Sequence, residues 1–403
     1  MNFKTQILSS KNINFIIFLY ILSLYLFTYR VHQISNLLAA LLILVIWLNY
    51  LLNRKESGRK IVFNKLLKIY LLFIAVCAIS VIYAVDRGFA IRKVRTMILL
   101  FILIFSLANY IDTYDKLRML MRSFVFSGLI ASMYILIKAD FSNITRFGSE
   151  LGNVNAIGMI LGISATFSLY FILTKREYYQ SIFLLIIASC ILLTGSRKAF
   201  LFIIMNTLII LFLRNNKGWK NKLKFAAIIL LIVLIACYLV FNVDIFYEII
   251  GVRLLNTFRS LSGQKVSTGS VTLRVKLIQE GWRMFKERPL LGHGLNNFRV
   301  LFARVPGGRE TYAHNNFIEL LVNIGVIGAG IYFLLQAYLI FELFKSCGEL
   351  EDKSLAYVFI AVMISYLIIS VTLVYYYNKQ FAVLLIAAAM LTEIVKAERV
   401  KAE

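Results

Sequence analysis

Residues 317–343 read FIELLVNIGVIGAGIYFLLQAYLIFEL, an apolar run whose two carboxylates, Glu319 and Glu342, lie near its ends. A helix needs about 20 mainly apolar residues to cross the hydrocarbon of a bilayer. The segment therefore reads as a membrane-crossing helix, and its surroundings repeat the pattern. Working outward gives twelve such runs, near 13–29, 37–52, 66–85, 94–110, 119–138, 155–174, 179–195, 198–213, 222–242, 315–344, 354–374 and 379–395. The expected fold class is all-α: a polytopic integral membrane protein of about twelve transmembrane helices. The expected division is helices 1–9 over 1–241, one large extracytoplasmic loop over 242–313, and helices 10–12 over 314–403. The first run is too long for a signal-peptide core and carries no small-residue cleavage site, so it is expected to stay as the first helix.

Composition agrees. The chain has 403 residues, 60% apolar and 16% charged, with 2 Pro and a mean hydropathy of +0.80. Soluble proteins run at about 45–50% apolar and about 25% charged, so a soluble enzyme and a disordered chain are both excluded. Cys77, Cys190, Cys237 and Cys347 sit in or beside apolar runs without a C-x-x-C spacing. Neither a disulfide framework nor a zinc site is indicated.

The net charge of +24 would point to nucleic acid in a soluble chain. In a membrane protein the loops must be counted first. With the N-terminus in the cytoplasm, the inner stretches hold 23 Lys and Arg and the short outer stretches 10. That bias supports both termini inside. Most of the charge then sets orientation, and no nucleic-acid partner is expected. The long outer loop holds the remaining 11 cations against five acids, Asp244, Glu248, Glu280, Glu287 and Glu310. Long loops are exempt from the positive-inside rule, so these cations need another reason.

No glycine-rich nucleotide loop, no His-Glu-x-x-His and no paired carboxylates occur. No metal and no cofactor is expected, and no repeat divides the chain into similar halves. Three sites on the expected outer side carry chemistry instead.

The first lies on a loop helix expected over Val271–Arg288, between Ser267-Thr268-Gly269-Ser270 and Pro289. At 100° per residue, Lys276, Gln279, Glu280, Arg283, Lys286 and Glu287 form a polar face, and Arg274 falls inside the apolar arc. A guanidinium there needs an anionic or carbonyl partner. It could also snorkel to a headgroup or pair with a core carboxylate. The second is Arg197, in the short turn Thr194-Gly195-Ser196-Arg197-Lys198 between two apolar runs. Ionisable groups near the membrane are costly, which makes it a functional candidate, and anchoring a helix end is the alternative. The third is His314, in Ala313-His314-Asn315-Asn316, ahead of the long helix. A helix N-terminus and nearby Arg disfavour imidazolium, and a neutral imidazole can act as general base. Helix capping is its plainer role, one that Asn315 or Asn316 could also fill. Of the other histidines, His32 lies in a short outer loop, and His293, in the turn Gly292-His293-Gly294, is a possible second proton carrier.

Two Arg and one poised His suit one reaction. Arg grips phosphate oxygens through its planar fork, while His removes a hydroxyl proton as that oxygen displaces a phosphate-type leaving group. A lipid-linked sugar diphosphate supplies its own energy for this, outside the cell and without a nucleotide.

These motifs resemble the O-antigen ligase and polysaccharide polymerase family of bacterial envelope proteins. Arg274, Trp282 eight residues on, and Pro289-Leu290-Leu291-Gly292-His293-Gly294 with Phe298 are similar to its Arg/Trp/P-L-x-G-x-G pattern. His314-Asn315-x-x-x-Glu319 with Gly325 is similar to its H-N-x-x-L-E segment, with Ile318 in place of the usual Leu. Thr194-Gly195-Ser196-Arg197 resembles its outer S-R turn, and Asn153-Val154-Asn155-x-x-Gly158 its N-x-N-x-x-G run. The anchors cover about 150–330. The resemblance implies a GT-C-related glycosyltransferase of the bacterial plasma membrane, working on its outer face with an undecaprenyl-diphosphate glycan as donor and no metal. It implies His314 as base and Arg197 and Arg274 as holders of the donor diphosphate. Asn155, Asn315, Glu319 and His293 are supporting candidates, His293 at a variable position of the family.

The leading expectation is a polymerase of capsular, exopolysaccharide or O-antigen repeat units, with an undecaprenyl-diphosphate glycan also as acceptor. Membrane lipid and the pathway's flippase and chain-length regulator would be its partners. The alternatives are a ligase delivering finished glycan to lipid A core, wall polymer or protein, a non-enzymatic flippase or exporter, and an envelope scaffold. Richness in Lys, Ile and Asn fits an AT-rich genome and tilts the reading towards the polymerase.

Overall fold

The computed structural model describes residues 10–27, 32–57, 61–139, 147–215 and 269–402. The apolar run at 222–242 and the loop up to 268 lie outside the described residues. Within them the chain is all-helical: α1 (Ser10–Leu26), α2 (His32–Ser57), α3 (Lys65–Ile79), α4 (Arg87–Ala108), α5 (Tyr114–Lys138), α6 (Val154–Lys175), α7 (Gln180–Leu193), α8 (Arg197–Arg214), α9 (Gly269–Glu287), α10 (Phe298–Ala303), α11 (Asn316–Ser346), α12 (Lys353–Ile369) and α13 (Lys379–Ala402). Each of the other eleven apolar runs falls on one of these helices. By length and composition, α2, α5, α6, α11 and α13 can cross a membrane, and α1, α7 and α12 are shorter apolar helices. This is a polytopic, all-helical membrane protein.

Helix starts follow capping chemistry. The side chains of Asn64, Asp86, Thr113, Asn153 and Asn315 accept from backbone N–H groups of the first turns of α3, α4, α5, α6 and α11. In the apolar interior, exposed backbone donors have no water to turn to. Buried apolar side chains from all the bundle helices form one continuous core, including Tyr25, Phe73, Phe124, Phe167, Phe202 and Tyr375.

The bundle has two distinct ends. At one, Tyr114 Oη donates to Glu398, Lys175 pairs with Asp352 at 3.2 Å, and Arg122 with Glu177 at 2.6 Å. At the other, the α3–α4 turn meets the loop after α9, and the α12–α13 turn meets Asn316 at the start of α11 and Lys198 at the start of α8.

The long helix α11 is broken. Gly325, at φ 64° and ψ −170°, stands in a region essentially reserved for glycine. The break frees the carbonyls of Val322 and Asn323 and the N–H groups of Val326 and Ile327, which in an unbroken helix would bond each other. The segment 289–294 takes all four. His293 N and Gly294 N donate to Val322 O and Asn323 O at 2.9 and 2.8 Å, and Val326 N and Ile327 N donate to Pro289 O and Leu290 O at 2.8 and 3.4 Å. Backbone lies on backbone here. A Cβ on Gly292 would stand 2.6 Å from Asn323 C, and one on Gly325 would stand 2.1 Å from Leu290 O. The glycines of the Pro289–Gly294 motif and of α11 thus serve a single joint.

The same segment is clasped by the α3–α4 turn. Val85 N donates to His293 O at 3.1 Å, Leu295 N to Ser80 Oγ at 3.0 Å, Asp86 N to Asn297 Oδ1 at 2.6 Å, and Tyr83 Oη to Leu291 O at 2.9 Å.

Candidate active site

Helix α9 positions Arg274. Its Leu277 and Met284 are buried with Phe298, Phe302, Ala313, Ile318 and Val322 in a second, smaller core, while Val275, Ile278 and Trp282 remain exposed. A Cβ on Gly281 would stand 2.3 Å from Ile318, so α9 lies tight on the start of α11. The apolar arc of the helix is therefore split between a packed and an open side. Arg274 sits half-buried on the seam, and among the described residues no carboxylate pairs with it.

Arg197 is the first residue of α8. The turn before it is held by α6: a Cβ on Gly158 would stand 2.9 Å from both Ser196 and Ala199 and 3.1 Å from Thr194 Oγ1. The N-x-N-x-x-G run thus has a physical reading, in which Asn153 caps α6 and Gly158 lets it touch the Arg197 turn. Asn155 lies in the first turn of α6, half-buried. Lys198 follows Arg197 and donates through Nζ to Thr372 O, joining α8 to the α12–α13 turn.

His314 precedes α11 in a left-handed conformation, φ 54°. Asn315 is the cap, accepting from Phe317 N and Ile318 N at 2.9 and 3.1 Å, so the capping role does not fall to His314. Its ring lies 4.0 Å, centroid to centroid, from that of Tyr312. Burial lowers the imidazole from its ordinary value to about 4, and the charges of Arg274 and Lys198 add to the effect. The ring is neutral at physiological pH.

The turn carrying His314 is fixed from beneath by Glu319. This buried carboxylate accepts from Ala313 N at 2.7 Å and from Asn323 Nδ2 at 3.1 Å, while Asn323 Oδ1 accepts from Phe298 N at 2.8 Å. Asn316 ties the same turn to its neighbour, its N–H donating to Ser370 O at 2.7 Å and its Oδ1 accepting from Tyr375 N at 3.2 Å.

Arg274 and Lys198 both act electrostatically on His314, and Arg274 and Arg197 on Lys198, so residues from α9, α8 and the α11 turn share one locus. His293 has other work: it is buried, and its Nε2–H donates to Met284 O at 2.8 Å, tying the Pro289–Gly294 segment to α9. His32 opens α2 instead of lying in a loop.

The sequence reading did not assign roles to Lys198 and Tyr312. Lys198 had one available signal, its adjacency to Arg197 at a helix start. Tyr312, two residues before His314, is brought onto the ring by the left-handed backbone at His314.

Comparison with curated proteins finds no match. Residues 182–333, from α7 into α11 and including Arg197, Arg274 and His314, match the family model described as O-antigen ligase.

Proposed function

We propose that the chain is a membrane glycosyltransferase that polymerises lipid-diphosphate-linked oligosaccharide repeat units. The observation that carries the reading is a neutral His314 imidazole within the field of Arg274 and Lys198, with Arg197 adjacent. The undecaprenyl diphosphate carrier and the outer-face placement come from the resemblance and the loop charge count, and both termini would be cytoplasmic.

In the reaction, the acceptor sugar hydroxyl gives its proton to His314 while its oxygen attacks the anomeric carbon of the donor. The bond from that carbon to the diphosphate oxygen breaks. The lipid diphosphate leaves with the bond's electron pair, and Arg197 and Arg274 hold its oxygens. Guanidinium forks match phosphate edges, and charge-assisted bonds of this kind are roughly twice as strong as neutral ones. Lys198 adds a point charge.

The cations also time the base. While the site is empty, burial lowers His314 and the cations lower it further, and an imidazole near 4 is a weak base. A bound diphosphate offsets the positive field and returns the imidazole towards its ordinary value, where proton transfer is most effective. The base thus gains strength when the donor is present.

The ligase reading shares this chemistry and differs only in the acceptor. A flippase needs no base, and mutation separates it. Cells carrying His314→Ala at wild-type protein level should lose polymer, since a general base contributes about 10²–10⁴-fold. Normal polymer amount and length would remove the enzymatic reading.

A further inference from the structure

The expected outer end of α4 breaks the positive-inside pattern more strongly than any other short outer stretch: Arg87, Arg92, Lys93 and Arg95 stand there with one acid, Asp86. Asp86 is used as the helix cap, accepting from Phe89 N at 2.9 Å. One of these cations, Arg92, shares an aromatic ring with Arg299 of α10, and Lys93 lies over a second ring. The guanidiniums of Arg92 and Arg299 lie 4.5 and 4.7 Å from the centroid of the same Phe89 ring, and the Lys93 ammonium lies 3.4 Å from the centroid of Tyr377. Like charges gathered on one ring repel unless an anion joins them. Glu310 reaches Arg299 at 3.1 Å, but both side chains are substantially exposed, and such pairs contribute little. The buried Nε of Arg299 has no hydrogen-bond partner among the described residues.

This cluster adjoins the His314 turn. Lys93 lies over Tyr377, two residues after Tyr375, whose N–H donates to Asn316 of that turn, and Lys93 and Arg299 both act on Glu319, the carboxylate that holds Ala313. A polymerase handles two lipid diphosphates at once, and Arg197, Lys198 and Arg274 provide for one.

We propose that Arg92, Lys93 and Arg299 form a second phosphate-binding site, which holds the diphosphate of the acceptor lipid. The inference rests on the polymerase reading, in which the acceptor carries its own diphosphate. Phosphate oxygens would engage the two guanidiniums edge-on while Phe89 supports their faces, and Lys93 would close the site from the Tyr377 side.

The test is the stoichiometry of undecaprenyl diphosphate binding to the full chain in nanodiscs of neutral lipid, read by native mass spectrometry and titration. Wild type should bind two molecules. Arg197→Ala with Arg274→Ala should keep one, and adding Arg92→Gln, Lys93→Gln and Arg299→Gln should weaken that one by about tenfold or more. Arg92→Gln alone, at an exposed position, should weaken it in the same direction where the multiple variant does not fold. Loss of all binding on removing Arg197 and Arg274 would overturn the proposal. So would full displacement of the second molecule by equimolar phosphatidylglycerol, which would make the patch an anchor for phospholipid headgroups. Two bound molecules with no polymer formed would leave the site standing and count against the polymerase reading alone.

Discussion

Burial keeps the imidazole of His314, at the head of α11, unprotonated, and the guanidinium of Arg274 on the seam of α9 adds to that effect. This relationship fixes a pH signature. A base works only when deprotonated, so activity should fall as pH drops through its pKa. For kcat/KM, which reports the free enzyme, the acid limb should lie near 4. For kcat, which reports the loaded enzyme, it should lie higher, because the diphosphate offsets the cations. Arg274→Gln should raise the kcat/KM limb. Coincident limbs in wild type would contradict the donor-timed base, and pH–rate profiles with defined lipid-diphosphate substrates decide it.

Geometry, beyond charge, should matter at the donor site. Arg197→Lys and Arg274→Lys keep the charge and lose the fork, and each should lower kcat/KM roughly 10–100-fold, the worth of about 1.5–3 kcal/mol for a charge-assisted bond. Lys198→Gln should cost less than either. Full activity in both Arg variants would reduce them to anchors.

Tyr312 orients the base through its ring, whose centroid lies 4.0 Å from that of His314. Tyr312→Phe should retain kcat, whereas Tyr312→Ala should lower it by up to about tenfold, in line with about 0.5–1.5 kcal/mol for a ring pair. Donor KM should change little, because the phenol does not hold the diphosphate.

Glu319 joins stability to function. Glu319→Ala leaves the buried N–H of Ala313 and the amide of Asn323 without their acceptor. The loss should be about 1–3 kcal/mol per group, measurable as a lower Tm in detergent, together with a reduced kcat. Glu319→Gln keeps one acceptor oxygen and should recover part of both.

The joint in α11 should resist a single methyl group. Gly325→Ala and Gly292→Ala force a side chain into positive-φ backbone and into contact with Leu290 or Asn323. Each should cost about 1–3 kcal/mol or more and loosen the Pro289–Gly294 segment in hydrogen exchange.

Much of this was legible from residue type and spacing. Apolar length located the helices, Asn315 met the requirement for a cap, and the step of 100° put Arg274 inside an apolar arc that the fold splits between a packed and an open side. The break at Gly325 was not legible. Gly325, Gly328 and Gly330 look alike within one apolar run, and only the backbone of 289–294, distant in sequence, selects the first. The end of α3 at Ile79, short of the apolar run's end at 85, has a similar cause, since Ser80, Tyr83 and Val85 leave the helix to clasp that segment. Lys198, Lys93 and Arg299 gained meaning only from the neighbours the fold gave them. A cation's role depends on its field, and sequence spacing does not show which charges share one.

The most direct measurement is the product formed by the purified protein and its His314→Ala variant from defined undecaprenyl-diphosphate repeat units. Wild type should build a ladder of lengthening glycans without a nucleotide, and the variant should build it about 10²–10⁴-fold more slowly. A ladder of equal rate and length from the variant would contradict the account.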